Sequence, residues 1–295
     1  MHNPPREGGF RECFEPREGM VYGMCDWASA ELRSWAQICI WLFGRSEMAE
    51  AFREGKDPHT MLAATLAGVE YDKAVARREG PRGLPERKPA KAGNFGFLGG
   101  MGAGTFVDYC APYGLDLTLE ASEDIKEAFL TTWPMARRYF KWIDSHVLRN
   151  RRGVGEQFVS LRQRANLGYC NACNTFFQGL TADYAKAALW CAWRESLTGK
   201  HWERRDEDSP LKGVRIWLML HDELIVEGPE ETSALWGDRL RDLMVEVASI
   251  YTPDVPQVAD VALSRVWSKK AKEVRDPSGR LMVWTPTAPV ATDAK

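Results

Sequence analysis

The sequence predicts an α+β fold in which one sheet carries a helical insertion. Apolar segments with strand character lie near both ends of the chain, at 20–26 and 214–227, and patterns with helical spacing fill the region between them. A third strand candidate follows at 258–266. Strands that flank a block of helices favour a sheet domain with an inserted helical region.

The elements follow in order from the apolar patterns. The first strand candidate is an apolar run that ends in Asp26. Apolar residues at helical spacing then predict helices at 30–43, 48–54, 58–66, from near Pro89, at 125–148 and at 180–197. Stretches rich in Pro and Gly at 81–85 and 99–104 predict loops.

The second strand candidate is interrupted by charged residues. Its apolar run contains His221, Asp222 and Glu223 near the middle. An ionised Asp in an apolar sheet costs free energy unless a partner stabilises it. From Lys269 onward the chain becomes polar and Pro-rich, which predicts a loose tail.

The composition is typical of a folded intracellular protein. Of 295 residues, 44% are apolar and 27% are charged, which excludes a disordered chain. No stretch resembles a leader peptide or a bilayer-spanning segment, so we expect a soluble cytoplasmic protein without a membrane partner. Seven cysteines predict reduced thiols, and the isolated pair Cys170 and Cys173 lacks further ligands for zinc.

Basic side chains are concentrated in two islands, although the net charge is only −2. Residues 73–91 and 137–164 hold seven and eight basic side chains, against two acidic ones each. Such segregation indicates a surface that faces a polyanion. Two ordinary solvated stretches are the alternative, and charge alone does not separate the two interpretations.

Two carboxylates stand at the ends or turns of the apolar strands. Asp26 ends the first strand, while Asp222 interrupts the second and is followed by Glu223. Brought side by side, such groups would repel unless cations lay between them, and oxygen ligands of this kind suit Mg²⁺. They would then serve two-metal catalysis at phosphorus. The alternative is a hydrogen-bonded Asp with a structural role only.

A ladder of side chains is predicted on the helix near Pro89. Arg87, Lys91 and Phe95 are spaced at i, i+4 and i+8, so they lie on one helical face. The two cations could hold a triphosphate and the ring could stack on a base. The alternative is an ordinary helix with Phe95 in the core. The three glycines at 93, 96 and 99 disfavour this alternative, because each costs a helix about 1 kcal/mol relative to Ala.

Three motifs in this order make the chain resemble the polymerase module of family A DNA polymerases. Residues 26–33 resemble motif A, 87–100 resemble motif B, and 220–223 resemble motif C. Residues 57–59 resemble the family's Asp-x-His, and 174–183 resemble the segment that lines the primer terminus. The resemblance spans nearly the whole chain.

The resemblance implies a role for each matched residue. Asp26 and Asp222 would hold two Mg²⁺ ions, with Glu223 as a further metal-binding residue. Lys91 would also donate a proton to the leaving pyrophosphate. The residues implied to bind the nucleotide are Arg87, Lys91, His59, Phe95 and Glu31. Those implied to contact primer–template DNA are Gln178, Asn174, His221 and Arg164.

Three positions depart from the family pattern. Gly99 stands where the family usually has a Tyr that partners the motif A Glu31, so we expect weaker selection of base and sugar. Pro89 replaces an ordinary helix former and would leave Arg87 at the N-terminal edge of its helix. Cys170 stands where many relatives have an Arg near the primer, a role that passes to Arg164.

The resemblance also implies a domain plan, with an antiparallel palm sheet and a mainly helical fingers insertion. The expected parts are palm at 1–45 with motif A, fingers at 46–155 with motif B, palm again at 156–270 with motif C, and a loose tail at 271–295. The thumb and the 3′–5′ exonuclease have no counterpart. We therefore expect a split or truncated enzyme, and a second chain could supply both.

The implied activity is template-directed DNA synthesis from deoxynucleoside triphosphates on primer–template DNA. It would take place in the cytoplasm, that of the host if the source is a bacteriophage. Single-subunit RNA polymerases share the carboxylates, but 221–223 and 94–96 favour the DNA enzymes. A second alternative is a non-catalytic remnant that binds nucleic acid or a partner, against which the presence of Arg87 and Lys91 argues.

Overall fold

The structure is a computed structural model that describes residues 9–149 and 153–286. Short 3₁₀ turns occur at Arg11–Cys13, Ala111–Tyr113 and Glu230–Thr232, and one π-helical turn at Ile143–Val147. In chain order, the strands and α-helices of this part are β1 (Met20–Trp27), α1 (Ala30–Phe43), α2 (Glu47–Arg53), α3 (Pro58–Ala67), α4 (Tyr71–Glu79), α5 (Arg87–Gly96), α6 (Ala103–Cys110), α7 (Leu119–Thr132), α8 (Met135–Trp142), β2 (Gly153–Glu156), β3 (Gln163–Leu167), α9 (Tyr169–Thr198), β4 (Arg215–Leu220), β5 (Glu223–Pro229), α10 (Ser233–Tyr251), β6 (Ala259–Ser264) and β7 (Val283–Trp284).

The chain divides into two compact units. One, the sheet unit, comprises residues 1–30, 182–251 and 257–295. The other, the helical unit, comprises residues 31–181 and 252–256. The sheet is therefore assembled from chain segments on either side of a long helical insertion, which confirms the predicted α+β class.

The sheet has the strand order β4-β5-β1-β6-β7. Strand β1 pairs antiparallel with both β5 and β6, β4 and β5 form a hairpin, and β7 runs parallel to β6. The register places Asp26 opposite Glu223 on one side and Asp260 on the other. At this end of the sheet, β1 and its two neighbours β5 and β6 thus each carry an acidic residue.

Both faces of the central strand β1 are covered by apolar side chains. Alternate residues of β1 point to opposite faces of the sheet, so they belong to two different clusters. Val21, Cys25 and Trp27 belong to the larger core, which also contains residues of α9 and α10. Tyr22 and Met24 belong to a smaller cluster on the opposite face. Because β1 is buried on both faces, its sequence is a continuous apolar run and not an alternation of apolar and polar residues.

Helix α10 approaches β1 closely at a glycine. A Cβ atom at Gly23 would lie 2.4 Å from the ring of Trp236, so only glycine fits there. The Trp27 indole Nε1 also donates a hydrogen bond to the Met244 carbonyl oxygen at 3.0 Å, which ties the end of β1 to the same helix. The strand that carries Asp26 is therefore held in a fixed position.

In the helical unit, α3 is capped at both ends. Helix α3 begins after Asp57, whose carboxylate accepts a hydrogen bond from the His59 backbone N–H at 3.0 Å, with Pro58 in the first turn. It ends at Gly68, which has the left-handed φ of 61° that terminates many helices. Helix α5 packs against α3 and α7. Its first residue is Arg87, as the presence of Pro89 predicts.

Several sequence predictions are wrong in their extent. The helix expected at 125–148 is two helices, because Pro134 forces Trp133 out of the helical conformation, with φ −124° and ψ 70°. Helix α9 starts at Tyr169, well before the predicted residue 180. The sequence patterns missed α4, α6, α10 and the hairpin of β2 and β3.

Part of the predicted loose tail is packed. Residues 283–284 form β7 in the main sheet. Arg275 donates to the Asp238 carboxylate at 2.6 Å, and Leu281 is buried. The remainder of the predicted tail, 287–295, lies outside the described residues. Within the described part of the chain, no helix has both the length and the apolar character needed to span a bilayer.

Candidate active site

A tight hairpin turn brings Asp222 next to the end of β1. Strand β4 ends at Leu220, which is paired with Glu223 at the start of β5, so His221 and Asp222 form the turn. His221 has a φ of 57°, an uncommon value for a residue other than glycine. The Trp27 N–H lies 3.4 Å from the Asp222 carbonyl oxygen. The two predicted carboxylates, Asp26 and Asp222, therefore lie at the same end of the sheet.

The electrostatics of this carboxylate pair are unfavourable for two free anions. Burial, and after it the negative charge of Asp222, raises the pKa of Asp26 to about 7. Burial also raises the pKa of Asp222. The cation Lys269 opposes both shifts. A cation bound at this place would relieve the repulsion and restore both carboxylates to their charged form.

Glu223 is engaged by a lysine that the sequence patterns did not single out. Lys269 Nζ donates to the Glu223 carboxylate at 2.7 Å, and the Glu223 side chain is only 6% exposed. Asp260, opposite Asp26 on β6, adds a further negative charge that raises the pKa of Asp26. Asp260 becomes a neighbour of Asp26 through the sheet register, and Lys269 through the segment that follows β6, so no local signal in the sequence could have identified them.

The donor set at Asp26 and Asp222 fits Mg²⁺. Across the described ranges, no group of three or more His, Cys, Asp or Glu side chains is arranged to hold a metal. Mg²⁺ characteristically uses one or two protein carboxylates and completes its shell with water and substrate phosphates. Two adjacent carboxylates with raised pKa values match this requirement, whereas Glu223 already has a cationic partner.

The predicted ladder forms one face of α5, within the helical unit. Arg87 is half-buried at the first position of the helix, and Lys91 is exposed. Phe95 is half-buried, and its ring centroid lies 5.5 Å from that of His59. The core positions at this end of the helix belong instead to Phe97 and Leu98, which are 1% and 0% exposed. Phe95 is therefore not a core residue.

The glycines of α5 have a packing role. A Cβ atom at Gly93 would lie 3.0 Å from the Ile125 side chain, and one at Gly96 would lie 2.9 Å from Phe106. Close approach of α6 and α7 thus explains these residues. The free-energy cost of these glycines in a helix is therefore no evidence for a ligand-binding role. The support for such a role is the exposure of the Arg87, Lys91 and Phe95 side chains themselves and the charge of the first two.

An acidic residue holds the first cation of the ladder in place. The Asp57 carboxylate accepts hydrogen bonds from Arg87 Nη2 at 2.8 Å and Nε at 3.2 Å, and from Thr60 Oγ1 at 2.8 Å. Burial raises the pKa of Asp57, but these hydrogen bonds lower it more, so it stays below its ordinary value. Arg87 is thereby oriented beside His59.

His59 is buried and uncharged near neutral pH. Its pKa is lowered to about 4, chiefly by burial; Asp57 opposes this shift, and the charges of Lys91 and Arg87 add to it. Its ring nitrogen Nδ1 lies 3.0 Å from Asn94 Nδ2. Four of the residues predicted to bind a nucleotide, Arg87, Lys91, Phe95 and His59, thus lie within one part of the helical unit.

The residues predicted to contact primer–template DNA are only partly brought together. Asn174 and Gln178 lie one turn apart on α9, and Gln178 is exposed. Arg164 on β3 lies 3.4 Å from Thr175 Oγ1, beside Asn174 in the chain. His221 belongs to the sheet unit, where it is exposed in the β4–β5 turn.

Gly99 leaves room for Asn174. The Asn174 Nδ2 atom donates to the carbonyl oxygens of Gly99 at 3.3 Å and Cys170 at 2.8 Å. A Cβ atom at Gly99 would lie 2.6 Å from that nitrogen. Glu31, in the first turn of α1, contributes to the raised pKa of Tyr109, about 12, after burial and Tyr113.

A family model matches most of the chain. The model described as DNA polymerase family A covers residues 5–269. The match therefore includes every candidate site residue, since these lie between Asp26 and Glu223.

Several curated proteins are similar over nearly the whole chain. DNA polymerase I of Aquifex aeolicus is 24% identical over 88% of this chain and 41% of its own length. The thermostable DNA polymerase I of Thermus filiformis is 28% identical over 87% of this chain and 28% of its own length. The DNA polymerase of Mycobacterium phage D29 is 27% identical over 82% of this chain and 34% of its own length. The chain thus spans well under half the length of these relatives.

The fold also resembles a solved structure. The polymerase domain of Pol1 from M. smegmatis, in complex with DNA primer–template and dNTP, matches with a TM-score of 0.65 and 22% identity. The match covers 90% of this chain and 43% of that one. At this identity the similarity concerns the fold.

Proposed function

The chain belongs to DNA polymerase family A, and on this premise we propose that it catalyses template-directed addition of deoxynucleotides to a primer. One observation carries the proposal. Two carboxylates distant in sequence, Asp26 and Asp222, lie together at the end of β1 in an environment that raises the pKa of both. An arrangement that disfavours its own charge is expected where a cation is to be bound.

We assign Asp26 and Asp222 as the residues that hold two Mg²⁺ ions. When bound, Mg²⁺ would stabilise negative charge on the phosphate oxygens of the substrate. Lys269 keeps Glu223 paired at 2.7 Å and so leaves the two Asp side chains as the available ligands. The sheet unit would correspond to the palm, and the helical unit to the fingers.

The nucleotide-binding residues belong to the helical unit. Arg87 and Lys91 would neutralise the triphosphate, because both carry charge along one face of α5. His59 would donate a hydrogen bond to it, and the half-buried ring of Phe95 would stack on the nucleotide. Glu31 would exclude the ribose 2′-hydroxyl. Together these side chains supply a cationic and aromatic surface of the kind a nucleoside triphosphate needs.

The reaction would join the primer 3′-oxygen to the α-phosphorus of the incoming nucleotide. The bond from that phosphorus to the oxygen bridging to the β-phosphate breaks, and pyrophosphate leaves. The 3′-hydroxyl proton is lost to the surrounding water, and Lys91 would donate a proton to the pyrophosphate. The primer is extended by one nucleotide.

The DNA partner follows from the same premise. The M. smegmatis polymerase domain was solved with DNA primer–template and dNTP, and we propose the same two classes of ligand for this chain. Asn174, Gln178 and Arg164 of the helical unit, and His221 of the sheet unit, would contact the primer–template end. The exposure of Gln178, Arg164 and His221 makes these side chains accessible to a nucleic acid.

Primer extension by the purified chain tests the proposal. With Mg²⁺ and a primer on templates of different sequence, we expect addition of the complementary deoxynucleotide in each case. Addition that ignores the template, or a preference for ribonucleotides, would contradict the proposal and favour a different polymerase class. Absence of any extension, with retained binding of primer–template DNA, would contradict activity of the chain by itself and would support a non-catalytic binding protein or an enzyme that needs a second chain.

A further inference from the structure

A hydrogen-bonded chain of buried side chains reaches His59 from within the helical unit. Trp133 Nε1 donates to Asn94 Oδ1 at 2.9 Å, and Asn94 Nδ2 lies 3.0 Å from His59 Nδ1. Both Trp133 and Asn94 are 0% exposed. Neither residue is among those assigned to the reaction, although both are connected directly to one that is.

The donors and acceptors fix the orientation of the Asn94 amide. The indole N–H of Trp133 can only donate, so the Asn94 atom that it meets must be the oxygen. The Pro58 carbonyl oxygen can only accept, and it lies 3.1 Å from the other end of the amide, which must therefore be the nitrogen. Two independent neighbours thus require the same orientation, and the reversed one would leave buried polar atoms unsatisfied.

The orientation of Asn94 determines the tautomer of His59. An amide nitrogen donates its hydrogen, so His59 Nδ1 must accept and carries no proton. A neutral imidazole then holds its proton on Nε2. In the part of the chain that the structure describes, no hydrogen-bond partner of Nε2 is seen, so the Nε2–H remains available to a ligand.

The charged groups around His59 favour its neutral form. Asp57 lies at the N-terminus of the same helix but is paired with Arg87 at 2.8 Å. Arg87 and Lys91 on α5 both disfavour a positive imidazole. The cations already supply charge to an anionic ligand, so a neutral N–H donor adds direction without adding repulsion between like charges.

We propose that Asn94, held by Trp133 and the Pro58 carbonyl, is a positioning residue that locks His59 as a neutral Nε2–H donor. This lock gives the nucleotide site a hydrogen-bond donor whose state is set by the fold and not by the pH of the solution. That the acceptor is a triphosphate oxygen rests on the proposed function. The tautomer itself does not.

Nitrogen NMR of the wild-type chain tests the lock directly. The chain has five histidines, and selective ¹⁵N labelling with a His59→Gln variant assigns the His59 signals. We expect Nδ1 to show the shift of an unprotonated nitrogen and Nε2 that of a protonated one near neutral pH. A proton on Nδ1 would overturn the proposal. This measurement needs neither activity nor a variant of Asn94.

Asn94→Asp tests whether residue 94 controls the tautomer. A carboxylate can only accept, so it should draw the proton of His59 to Nδ1 and raise the pKa of the imidazole. Asn171→Asp is the matched control, because Asn171 is exposed on α9 and receives the same added charge. An unchanged His59 spectrum in a folded Asn94→Asp chain would contradict the role of Asn94.

The indole of Trp133 has its own matched control. Trp133→Phe and Trp35→Phe each remove one buried indole N–H, but among the described residues Trp35 Nε1 has no hydrogen-bond partner. Trp133→Phe should therefore lower the melting temperature more and broaden the His59 nitrogen signals, while Trp35→Phe should leave those signals unchanged. Equal effects of the two variants would exclude a role for Trp133.

An activity measurement connects the lock to the nucleotide. In wild type, the KM for the incoming nucleotide should be nearly constant between about pH 7 and pH 9 because His59 stays neutral. In Asn94→Asp the imidazole loses its Nε2 proton as the pH rises, and KM should increase about tenfold, the loss expected for one hydrogen bond to a charged group. If the chain proves inactive, this arm fails with the proposed function, while the NMR result on the tautomer still stands.

Discussion

Gly99 and Asn174 form a matched pair at the residue scale. The Asn174 side chain occupies the space that a side chain at position 99 would need, and it donates to the carbonyl oxygen of Gly99 itself. The two residues are far apart in sequence: Gly99 lies in the turn after α5, and Asn174 lies in α9. The effect of a substitution at one position on the free energy of unfolding should therefore depend on the residue at the other.

A double-mutant cycle measures this coupling. Gly99→Ala should lower the free energy of unfolding by about 1–3 kcal/mol, because the new Cβ displaces the Asn174 amide from its hydrogen bonds. In an Asn174→Ala background the same change should cost less than about 0.5 kcal/mol. Urea unfolding followed by circular dichroism gives both values.

Gly104→Ala is the control for this cycle. No atom lies within 4 Å of the position that its Cβ would occupy, and the residue is in α6, so alanine should be neutral or stabilising. Additive effects of Gly99→Ala and Asn174→Ala would show that the two positions are independent. We also expect Gly99→Tyr to change the incorporation of ribonucleotides and mismatched bases.

The sequence identifies individual site residues when a local pattern marks them. Asp26 and Asp222 stand out because each interrupts or ends an apolar run, and the structure places both at the same end of the sheet. Lys269 and Asn94 carry no such mark. Lys269 becomes a partner of Glu223 through the course of the segment after β6, and Asn94 of His59 through helix packing, neither of which one sequence reveals.

At the scale of elements, the start of α3 has a larger role than that of an ordinary helix cap. Asp57 receives the His59 N–H as N-cap, and it also binds Thr60 and Arg87. Asp57→Ala should therefore lower the free energy of unfolding by about 2–3 kcal/mol, beyond the ~1 kcal/mol of a simple cap.

Thr118→Ala removes a cap of the simple kind from α7, where Thr118 Oγ1 accepts from the Ala121 N–H at 3.1 Å. It should cost about 1 kcal/mol. Asp57→Asn preserves an N-cap oxygen and should lie between the two. If Asp57→Ala cost no more than Thr118→Ala in urea unfolding, the contacts with Arg87 and Thr60 would contribute nothing to stability.

A buried ion network joins α9 to α10 in the sheet unit. Glu195 is 0% exposed and accepts from Arg239 Nη2 at 2.7 Å, and Arg239 also donates to Glu246 at 2.9 Å. Burial raises the pKa of Glu195, but hydrogen bonds from Arg239, Ser209 and the Trp202 N–H outweigh it, so the pKa is lowered in the folded state.

The lowered pKa of Glu195 predicts acid sensitivity. A carboxylate whose folded pKa lies below its unfolded value contributes stability that is present above the unfolded value and is lost as the pH falls through the folded one. The contribution should therefore be complete above the ordinary value of 4.5 and decline below it. Glu195→Gln should cost about 3 kcal/mol near neutral pH, with a smaller difference from wild type in acid.

Urea unfolding at a series of pH values measures this difference. Glu207→Gln provides the comparison. The Glu207 side chain is 57% exposed, and its ion-pair partner among the described residues is Arg204, three positions earlier in the chain. Its effect should stay below about 0.5 kcal/mol at every pH. A Glu195→Gln effect that did not shrink in acid would contradict the assigned role of the network.

Elements were predictable where the apolar pattern was regular. The bounds of α1 were predicted correctly, and those of α3 nearly so, because apolar spacing and the Asp-Pro start mark them. The polar helix α4 has few buried residues, so its pattern resembles a solvated stretch. The break at Trp133 and Pro134 was missed although proline signals it, because the apolar spacing continues on both sides.

At the scale of the whole molecule, the chain folds as two units whose candidate residues differ in kind. The sheet unit contributes three of the four candidate carboxylates and His221, and the helical unit contributes Glu31 together with cations, aromatic rings and amides. The net charge of −2 conceals this division. The class of the fold was predictable from the order of strands and helices, whereas the unit boundaries at residues 31 and 181 depend on long-range packing.

The central claim is that Asp26 and Asp222 together make the site of nucleotidyl transfer. The most direct test is the single-turnover rate of primer extension with Mg²⁺ for wild type, Asp222→Ala and Asp242→Ala. Asp242 is a comparable carboxylate of the sheet unit that is 52% exposed and paired with Arg241.

We predict that Asp222→Ala lowers the rate by more than about a hundredfold, beyond the usual effect of losing an outer-shell partner of a metal site. Asp242→Ala should leave the rate within about twofold of wild type, since exposed ion pairs contribute little. Wild-type extension that survives Asp222→Ala at a comparable rate, in a folded protein, would contradict the account.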